Sequence, residues 1–388
     1  MHDLLRQYTT LSHEKRVLLE LLLREEGLNI TQLPIVQQPG EADRLPLSFG
    51  QQRLWFPSQM QLGNPAYNMA YAVRLMGALD VGIMERALQE IVRRHDSLRT
   101  RFPDQDGQPY QCIAPPSTWS LSTRDLRDVP KNQREAAALQ QVNVESQQPF
   151  DLTHGPLLRT VLFCITETEY IFLLALHHIV ADGWSIAVFI KEFITLYTAF
   201  SEGKPSPLTE LPIQYPDFAH WQQNWLSDEM LDSQIAYWKS QLAGAPLSLK
   251  LPTDRPRPAV QTYRGAHQAF ALSLPLTASL KALSTQENAT VFMTLLAAFQ
   301  ALLHLYTGED DIVVGTDVAN RNRIETEKLI GFFSNQLVLR TDLSQNPTFL
   351  GLLSRVREML LDAYAHQDVP FETLVKALNP KRNLSYTP

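Results

Sequence analysis

Apolar residues recur along this chain in two rhythms, and the repeated switch between them predicts a mixed α/β protein. Asp80 precedes a stretch in which Met84, Leu88, Ile91 and Val92 share one helical face, so Asp80 is the expected cap. A strand is expected through Leu98 to Phe102, a hairpin turn at Asp106-Gly107, and a helix over Ala136 to Glu145. Leu157 to Thr166 and Tyr170 to Leu176 read as consecutive strands, and the unbroken apolar run from Ile171 marks the second as buried. Beyond it Phe189, Ile190, Phe193, Ile194 and Tyr197 fall at helical spacing, with Asp182 or Ser185 placed to cap that helix. The theme returns with a strongly apolar helix over Val291 to Leu305, a strand over Asp311 to Gly315 and a helix over Phe349 to Tyr364.

The length of 388 residues suggests two lobes, at about 100 to 200 residues per domain. Residues 1–44 read as an N-terminal helical and linker segment: Lys15 to Glu25 is leucine-rich at helical spacing, and Gln37 to Glu41 loosens it. The first lobe is expected over 45–225 and the second over 226–388. The passage between them falls in the proline- and aromatic-rich region holding Trp221, Trp225 and Trp238. A formal net charge of -7 gives no electrostatic case for nucleic acid or an anionic membrane. No apolar run approaches the roughly 20 residues of a membrane span, and the start lacks a signal peptide's basic end, so a cytoplasmic location is expected. Cys112 and Cys164 sit in apolar, strand-like sequence and read as buried thiols.

The chemistry concentrates in His177-His178-Ile179-Val180-Ala181-Asp182-Gly183, between the buried strand and the amphipathic helix. Neighbouring strand residues face opposite ways, so one histidine faces a given cleft while the other packs, and a shared metal ion is not expected. Asp182 beside a sharp turn is placed to pair with an arginine, and Gly183 lets the backbone approach a substrate closely. The bland alternative is two histidines satisfying hydrogen bonds at a strand end. A different chemistry is raised by Gly183-Trp184-Ser185-Ile186-Ala187, which nearly matches the nucleophile elbow of serine hydrolases. Its final glycine is missing, and no acid partner identifies itself.

His-His-x-x-x-Asp-Gly resembles the signature of condensation domains of nonribosomal peptide synthetases, within the chloramphenicol acetyltransferase-like acyltransferases. Other stretches match that family's motifs in order. They are Ser48-Phe49-Gly50-Gln51-Gln52-Arg53-Leu54-Trp55-Phe56, then Arg94-His95-Asp96-Ser97-Leu98-Arg99-Thr100-Arg101-Phe102, and then Tyr215-Pro216-Asp217-Phe218-Ala219-His220-Trp221-Gln222. Ile330-Gly331-Phe332-Phe333-Ser334-Asn335-Gln336-Leu337-Val338-Leu339-Arg340 and His366-Gln367-Asp368-Val369-Pro370-Phe371-Glu372 continue the series, so the resemblance runs from Leu45 to the end. It implies two acetyltransferase-like lobes in a V-shaped pseudo-dimer with the active site in a tunnel between them. Asn383-Leu384-Ser385-Tyr386-Thr387-Pro388 resembles only the beginning of the last motif, so the C-terminal lobe is expected to be incomplete.

The activity so implied is amide formation: an acceptor aminoacyl thioester's amine attacks a donor acyl or peptidyl thioester. Each is presented on the 4'-phosphopantetheine of a carrier domain, and the domain itself binds no cofactor and no metal. The implied partners are upstream donor and downstream acceptor carrier domains, with an adenylation domain in the same synthetase. His178 is the expected catalytic residue, supported by His177, Asp182 and Gly183. A histidine and an α-amino group ordinarily differ by about one pKa unit, so such a residue either takes the proton or chiefly orients the amine. The family pattern makes Arg321 the first candidate partner of Asp182 and Arg99 the second. Asn335, Gly331 and Trp221 are candidates for lining the cleft or the lobe contact, set against ordinary packing or turn roles. The wording of the motifs resembles domains that join two L-configured units. A non-catalytic module that docks carriers or recruits an enzyme is the remaining alternative.

Overall fold

The computed structural model describes residues 34–37, 44–60, 63–116, 119–226, 228–260, 262, 265–266 and 268–380. The leucine-rich stretch Lys15 to Glu25 and the final Asn383 to Pro388 motif lie outside them. Two units are distinguished, one of Met1–Ser227 with Arg321–Ser334, the other of Asp228–Asn320 with Asn335–Pro388. Arg321–Ser334, which the sequence places within the later lobe, thus groups with the first.

The first unit contains α1 (Phe49–Met60), β1 (Asn68–Met76), α2 (Val81–Arg94), β2 (Ser122–Asp125), α3 (Arg134–Gln147), β3 (Leu158–Cys164), β4 (Glu169–His177), α4 (Gly183–Ser201) and α5 (Tyr215–Trp225). Its main sheet has the order β1-β4-β3-β2. β4 runs antiparallel to both neighbours, while β2 and β3 are parallel. The strand period of two explains why β4 is apolar throughout, since it is covered on both faces. Phe172, Leu174 and Leu176 pack with Met84, Leu88 and Ile91 of α2 and Ile186 and Phe189 of α4. The alternate residues Ile171 and Leu173 pack with Val161, Phe163 and Ala138 of α3. Each such buried side chain contributes roughly 1.5–3 kcal/mol, so β4 is a rigid support for the turn beyond its last residue. α4 offers only one face to this core: Phe189 is buried, whereas Ile190 and Ile194 are exposed.

Two local expectations are corrected. Leu98 to Phe102 is not one strand: Asp96–Arg99 forms a 3-10 turn, and only Thr100–Arg101 pairs with Cys112–Ile113. The turn is held by Leu98 N–H donating to His95 O at 3.1 Å and Thr100 Oγ1 donating to Asp96 O at 2.8 Å. Cys112 and Cys164 are free and half-buried rather than buried. The hairpin turn does form at Asp106 and Gly107, both at positive φ, between Asp104–Gln105 and Gln108–Pro109.

The second unit contains α6 (Asp228–Gln241), α7 (Leu274–Gln286), α8 (Val291–Thr307), β5 (Asp311–Val318), β6 (Asn335–Asp342), α9 (Phe349–Ala365) and α10 (Phe371–Leu378). β5 and β6 form an antiparallel pair. Leu337 and Leu339 of β6 bury with Trp238 of α6, Leu296 of α8 and Val356 and Leu360 of α9.

Candidate active site

β4 ends at His177, and the next three residues form a 3-10 turn that delivers the chain to α4. The strand's alternation sends His177 to the side of Ile171 and Leu173, where it lies against Tyr67 and Phe150 at ring separations of 6.1 and 6.3 Å. Its Nδ1 accepts from Ile179 N–H at 3.2 Å, so its ring holds the turn as well as filling space. Burial, with the neighbouring His178 adding to it, pulls the His177 pKa down to about 3. This ring therefore stays neutral at ordinary pH.

His178 is half-buried and differently committed. Its Nδ1 lies 2.8 Å from the carbonyl oxygen of Ala181. A carbonyl can only accept, so Nδ1 carries the hydrogen and the neutral ring keeps its lone pair on Nε2. Its ring meets that of Phe332 in a T-shaped contact, 5.0 Å between centroids.

Asp182 caps α4 and is wholly buried. Its Oδ1 accepts from Ser185 N–H at 2.8 Å, from Ser185 Oγ at 2.7 Å and from Arg321 Nη2 at 3.0 Å, and its Oδ2 accepts from Phe333 N–H at 3.1 Å. Arg321 also donates through Nη2 to Ser185 Oγ at 3.1 Å and through Nη1 to Thr326 O and Leu329 O. Burial pulls the Arg321 pKa below its usual value, and Asp182 offsets this. The buried pair ties the turn after β4 to Arg321–Ser334: hydrogen bonds cover the carboxylate and both Nη atoms of the guanidinium, while Arg321 Nε is buried without a partner. Arg99 does not partner Asp182. Its guanidinium donates to Val92 O, Arg93 O, Ala114 O and Asp96, which fixes the 3-10 turn instead.

Ser185 is a cross-link rather than a nucleophile. Besides its bonds to Asp182 and Arg321, its Oγ accepts from Asp182 N–H at 3.2 Å and Gly331 N–H at 3.1 Å and lies 2.9 Å from Gly331 O. A hydroxyl has one hydrogen and two lone pairs, and this one is fully occupied at 1% exposure. Gly331 is sterically required, because a Cβ there would stand 2.0 Å from the Tyr215 ring. At Gly183, the first residue of α4, a Cβ would meet nothing within 4 Å, so packing does not explain that glycine.

Trp221 lies on α5, stacked on Trp225 at 4.9 Å and beneath the Arg323 guanidinium at 5.1 Å. Asn335, in the second unit, donates to Gln367 O at 2.9 Å and Val369 O at 2.7 Å and accepts from Phe371 N–H at 3.1 Å. It clips the loop between α9 and α10, which explains the spacing of the His366 to Glu372 motif. The structure therefore brings together His177, His178, Asp182, Gly183, Arg321 and Gly331, while Arg99, Trp221 and Asn335 have other immediate partners. Tyr215 and Phe332 were missed as individual residues. Tyr215 Oη is 2.8 Å from Ser48 Oγ and donates to Phe332 O at 2.5 Å. The only signal for either was membership of a motif, which does not say what its side chain touches.

Residues 41–388 match the family model described as the Condensation domain. Over 355 residues the chain is 54% identical to a linear gramicidin synthase of Brevibacillus parabrevis, which covers 92% of this chain and 5% of that synthase polypeptide. The X-domain from teicoplanin biosynthesis superposes with a TM-score of 0.80 at 31% identity, over 92% of this chain and 78% of that one. A four-domain nonribosomal peptide synthetase bound to AMP and glycine gives a TM-score of 0.79 at 26% identity, over 94% of this chain and 27% of that one. The chain thus spans a small part of the synthetases it resembles. Among the described residues no single helix is long and apolar enough to cross a membrane. With the α/β architecture, the ordered motifs and the family match over nearly all its length, this chain belongs to the condensation-domain family of nonribosomal peptide synthetases, with its chloramphenicol acetyltransferase-like fold and amide-forming acyltransferase chemistry.

Proposed function

We propose that this chain joins a carrier-bound donor acyl or peptidyl thioester to the amine of a carrier-bound acceptor aminoacyl thioester, with His178 receiving the amine proton. The observation that carries this reading is the Nδ1–H bond from His178 to Ala181 O, which in the neutral ring leaves the lone pair on Nε2, on a half-buried side chain just beyond a rigid strand. In the reaction the amine nitrogen attacks the donor carbonyl carbon, a C–N bond forms and the C–S bond breaks. The amine hydrogen passes to Nε2 and then to the departing thiolate. Positioned base catalysis typically supplies about 10²–10⁴-fold, and holding the amine in line supplies more.

His177 supports the turn from below, while Asp182 and Arg321 lock it from the side. Gly183, with open space where a side chain would project, leaves room for a substrate backbone. Both substrates arrive on 4'-phosphopantetheine arms, so the domain needs no cofactor of its own. The partners are an upstream donor carrier, a downstream acceptor carrier and an adenylation domain that loads the acceptor. The preferred units are L-configured on both sides.

The test is single-turnover peptide formation with donor and acceptor carriers loaded from a panel of L- and D-amino acids, comparing the chain with His178→Ala. Product whose formation slows at least about 10²-fold in His178→Ala supports the reading. Carrier binding with no product from any loaded pair would overturn it in favour of a docking or recruitment module. Product formed equally fast by His178→Ala would remove His178 from the chemistry.

A further inference from the structure

We propose that Phe332 is a positioning residue for His178: its ring is a fixed wall that holds the imidazole with Nε2 directed at the reacting amine. The inference rests on the proposed role of His178 and deepens it. A single hydrogen bond from Nδ1 leaves a ring free to swing about that bond. A second ring packed against the imidazole removes this freedom, and His178 meets Phe332 in a T-shaped contact at 5.0 Å with ring planes 76° apart.

The wall itself has nowhere to retreat. Phe332 is 3% exposed, and on another side it lies directly on α1, where a Cβ at Gly50 would stand 2.9 Å from Phe332 Cε1 and 3.0 Å from Cδ1. The Arg53 guanidinium lies 5.5 Å from the centre of the same ring. The backbone behind it is gripped residue by residue. Ile330 N–H donates to His95 Nδ1 at 3.2 Å, and Ile330 O accepts from Ser97 Oγ at 2.7 Å. Gly331 N–H donates to Ser185 Oγ, Phe332 O accepts from Tyr215 Oη at 2.5 Å, and Phe333 N–H donates to Asp182 Oδ2. Burial pushes the Tyr215 phenol well above its usual pKa, so it remains a donor. Side chains from three separate stretches of the chain therefore hold four consecutive residues, and the ring so fixed is the one that touches His178. The missing side chain at Gly50 is the complement: it makes the space this large ring fills.

The experiment uses Phe332→Leu, Gly50→Ala and the double variant. Phe332→Leu keeps the apolar contact and every backbone bond but removes the wall, while Gly50→Ala leaves Phe332 and His178 intact and presses on the ring. Each is expected to lower the saturating single-turnover rate about tenfold, with half-saturating carrier concentrations unchanged. Because both act through one ring, Gly50→Ala added to Phe332→Leu should cost less than about twofold more. Nitrogen-15 spectra of His178 should show the Nδ1–H form giving way partly to the Nε2–H form in each single variant, a change that mere loosening of the core would not produce. Unchanged rates, a loss confined to carrier half-saturation, or slower turnover with unaltered His178 tautomer signals would each overturn the proposal. A wild-type rate in His178→Ala would instead dispose of the underlying role of His178, whatever the Phe332 variants do.

Discussion

Replacing Asp182 by asparagine keeps the side-chain shape and removes the charge, so its cost measures what the carboxylate contributes. The carboxylate takes four hydrogen bonds, three on Oδ1 from Ser185 N–H, Ser185 Oγ and Arg321 Nη2, and one on Oδ2 from Phe333 N–H. An asparagine oxygen placed at Oδ1 puts its amide hydrogens against Phe333 N–H, a donor facing a donor. Arg321, with a side chain only 2% exposed, then keeps its positive charge with no counter-charge. Breaking one side of a buried ion pair costs about 3–5 kcal/mol, a large share of the roughly 5–15 kcal/mol that holds a folded domain together. Urea unfolding followed by tryptophan fluorescence measures it.

Arg321→Met should cost less than Asp182→Asn, because Asp182 retains the donors of Ser185 and Phe333. The combined variant leaves no isolated buried charge, so it should be more stable than the sum of the single losses predicts, by about 1 kcal/mol or more. Arg99→Met, which removes a guanidinium engaged elsewhere, should add to Asp182→Asn without such coupling. A loss under about 1 kcal/mol for Asp182→Asn, or coupling to Arg99 in place of Arg321, would refute the account of the turn.

The pH dependence follows from His177. Its pKa falls from 6.5 to about 3 in the folded chain, so between those values the unfolded chain binds more protons. The stability from the neutral ring is complete above about pH 6.5 and is lost as pH falls toward 3, by up to about 1.4 kcal/mol per pH unit. His177→Asn keeps an acceptor for Ile179 N–H and does not titrate, so its stability should fall less steeply over that range; parallel slopes would contradict the assignment. Ser185→Ala should lose about 1–3 kcal/mol on urea unfolding, and the wild-type chain should take up no fluorophosphonate at Ser185. A covalent adduct there would restore the hydrolase reading. Asn335→Ala should destabilise the loop between α9 and α10 by a similar amount, seen as faster hydrogen exchange at the Phe371 amide, and unchanged exchange would show that the clip is dispensable.

Most elements were legible because they are written in local rhythms. The apolar run of β4 and the 3.6-residue pattern of α2 each express one strand or helix facing a core, and the capping by Asp80 and Asp182 depends on residues three positions away. Leu98 to Phe102 misled because its alternation resembles a strand, while bonds donated to the His95 and Asp96 carbonyls close a tighter turn that hydrophobicity does not encode. Ser185 misled in a different way. Its neighbours spell most of a nucleophile elbow, but its reactivity is removed by Gly331 and Arg321, more than a hundred residues away.

That difference explains what a single sequence gives up about a site and what it withholds. The identity of the chemical group is local, so His178 stands out at once beside Asp182 and Gly183. Its tautomer and aim are not written in the residue itself: they depend on a carbonyl three residues on, an aromatic ring at position 332 and an arginine at position 321. Arg321–Ser334 is the extreme case. Its position in the chain assigns it to the later lobe, yet its contacts place it with the first, because every residue from Ile330 to Phe333 is gripped through backbone atoms. Backbone atoms are the same in every residue, so such a grip leaves its trace only in the gripping side chains His95, Ser97, Ser185, Tyr215 and Asp182. Four motifs that look like separate signatures in the sequence are thus parts of one bonding arrangement, and its focus is the imidazole of His178.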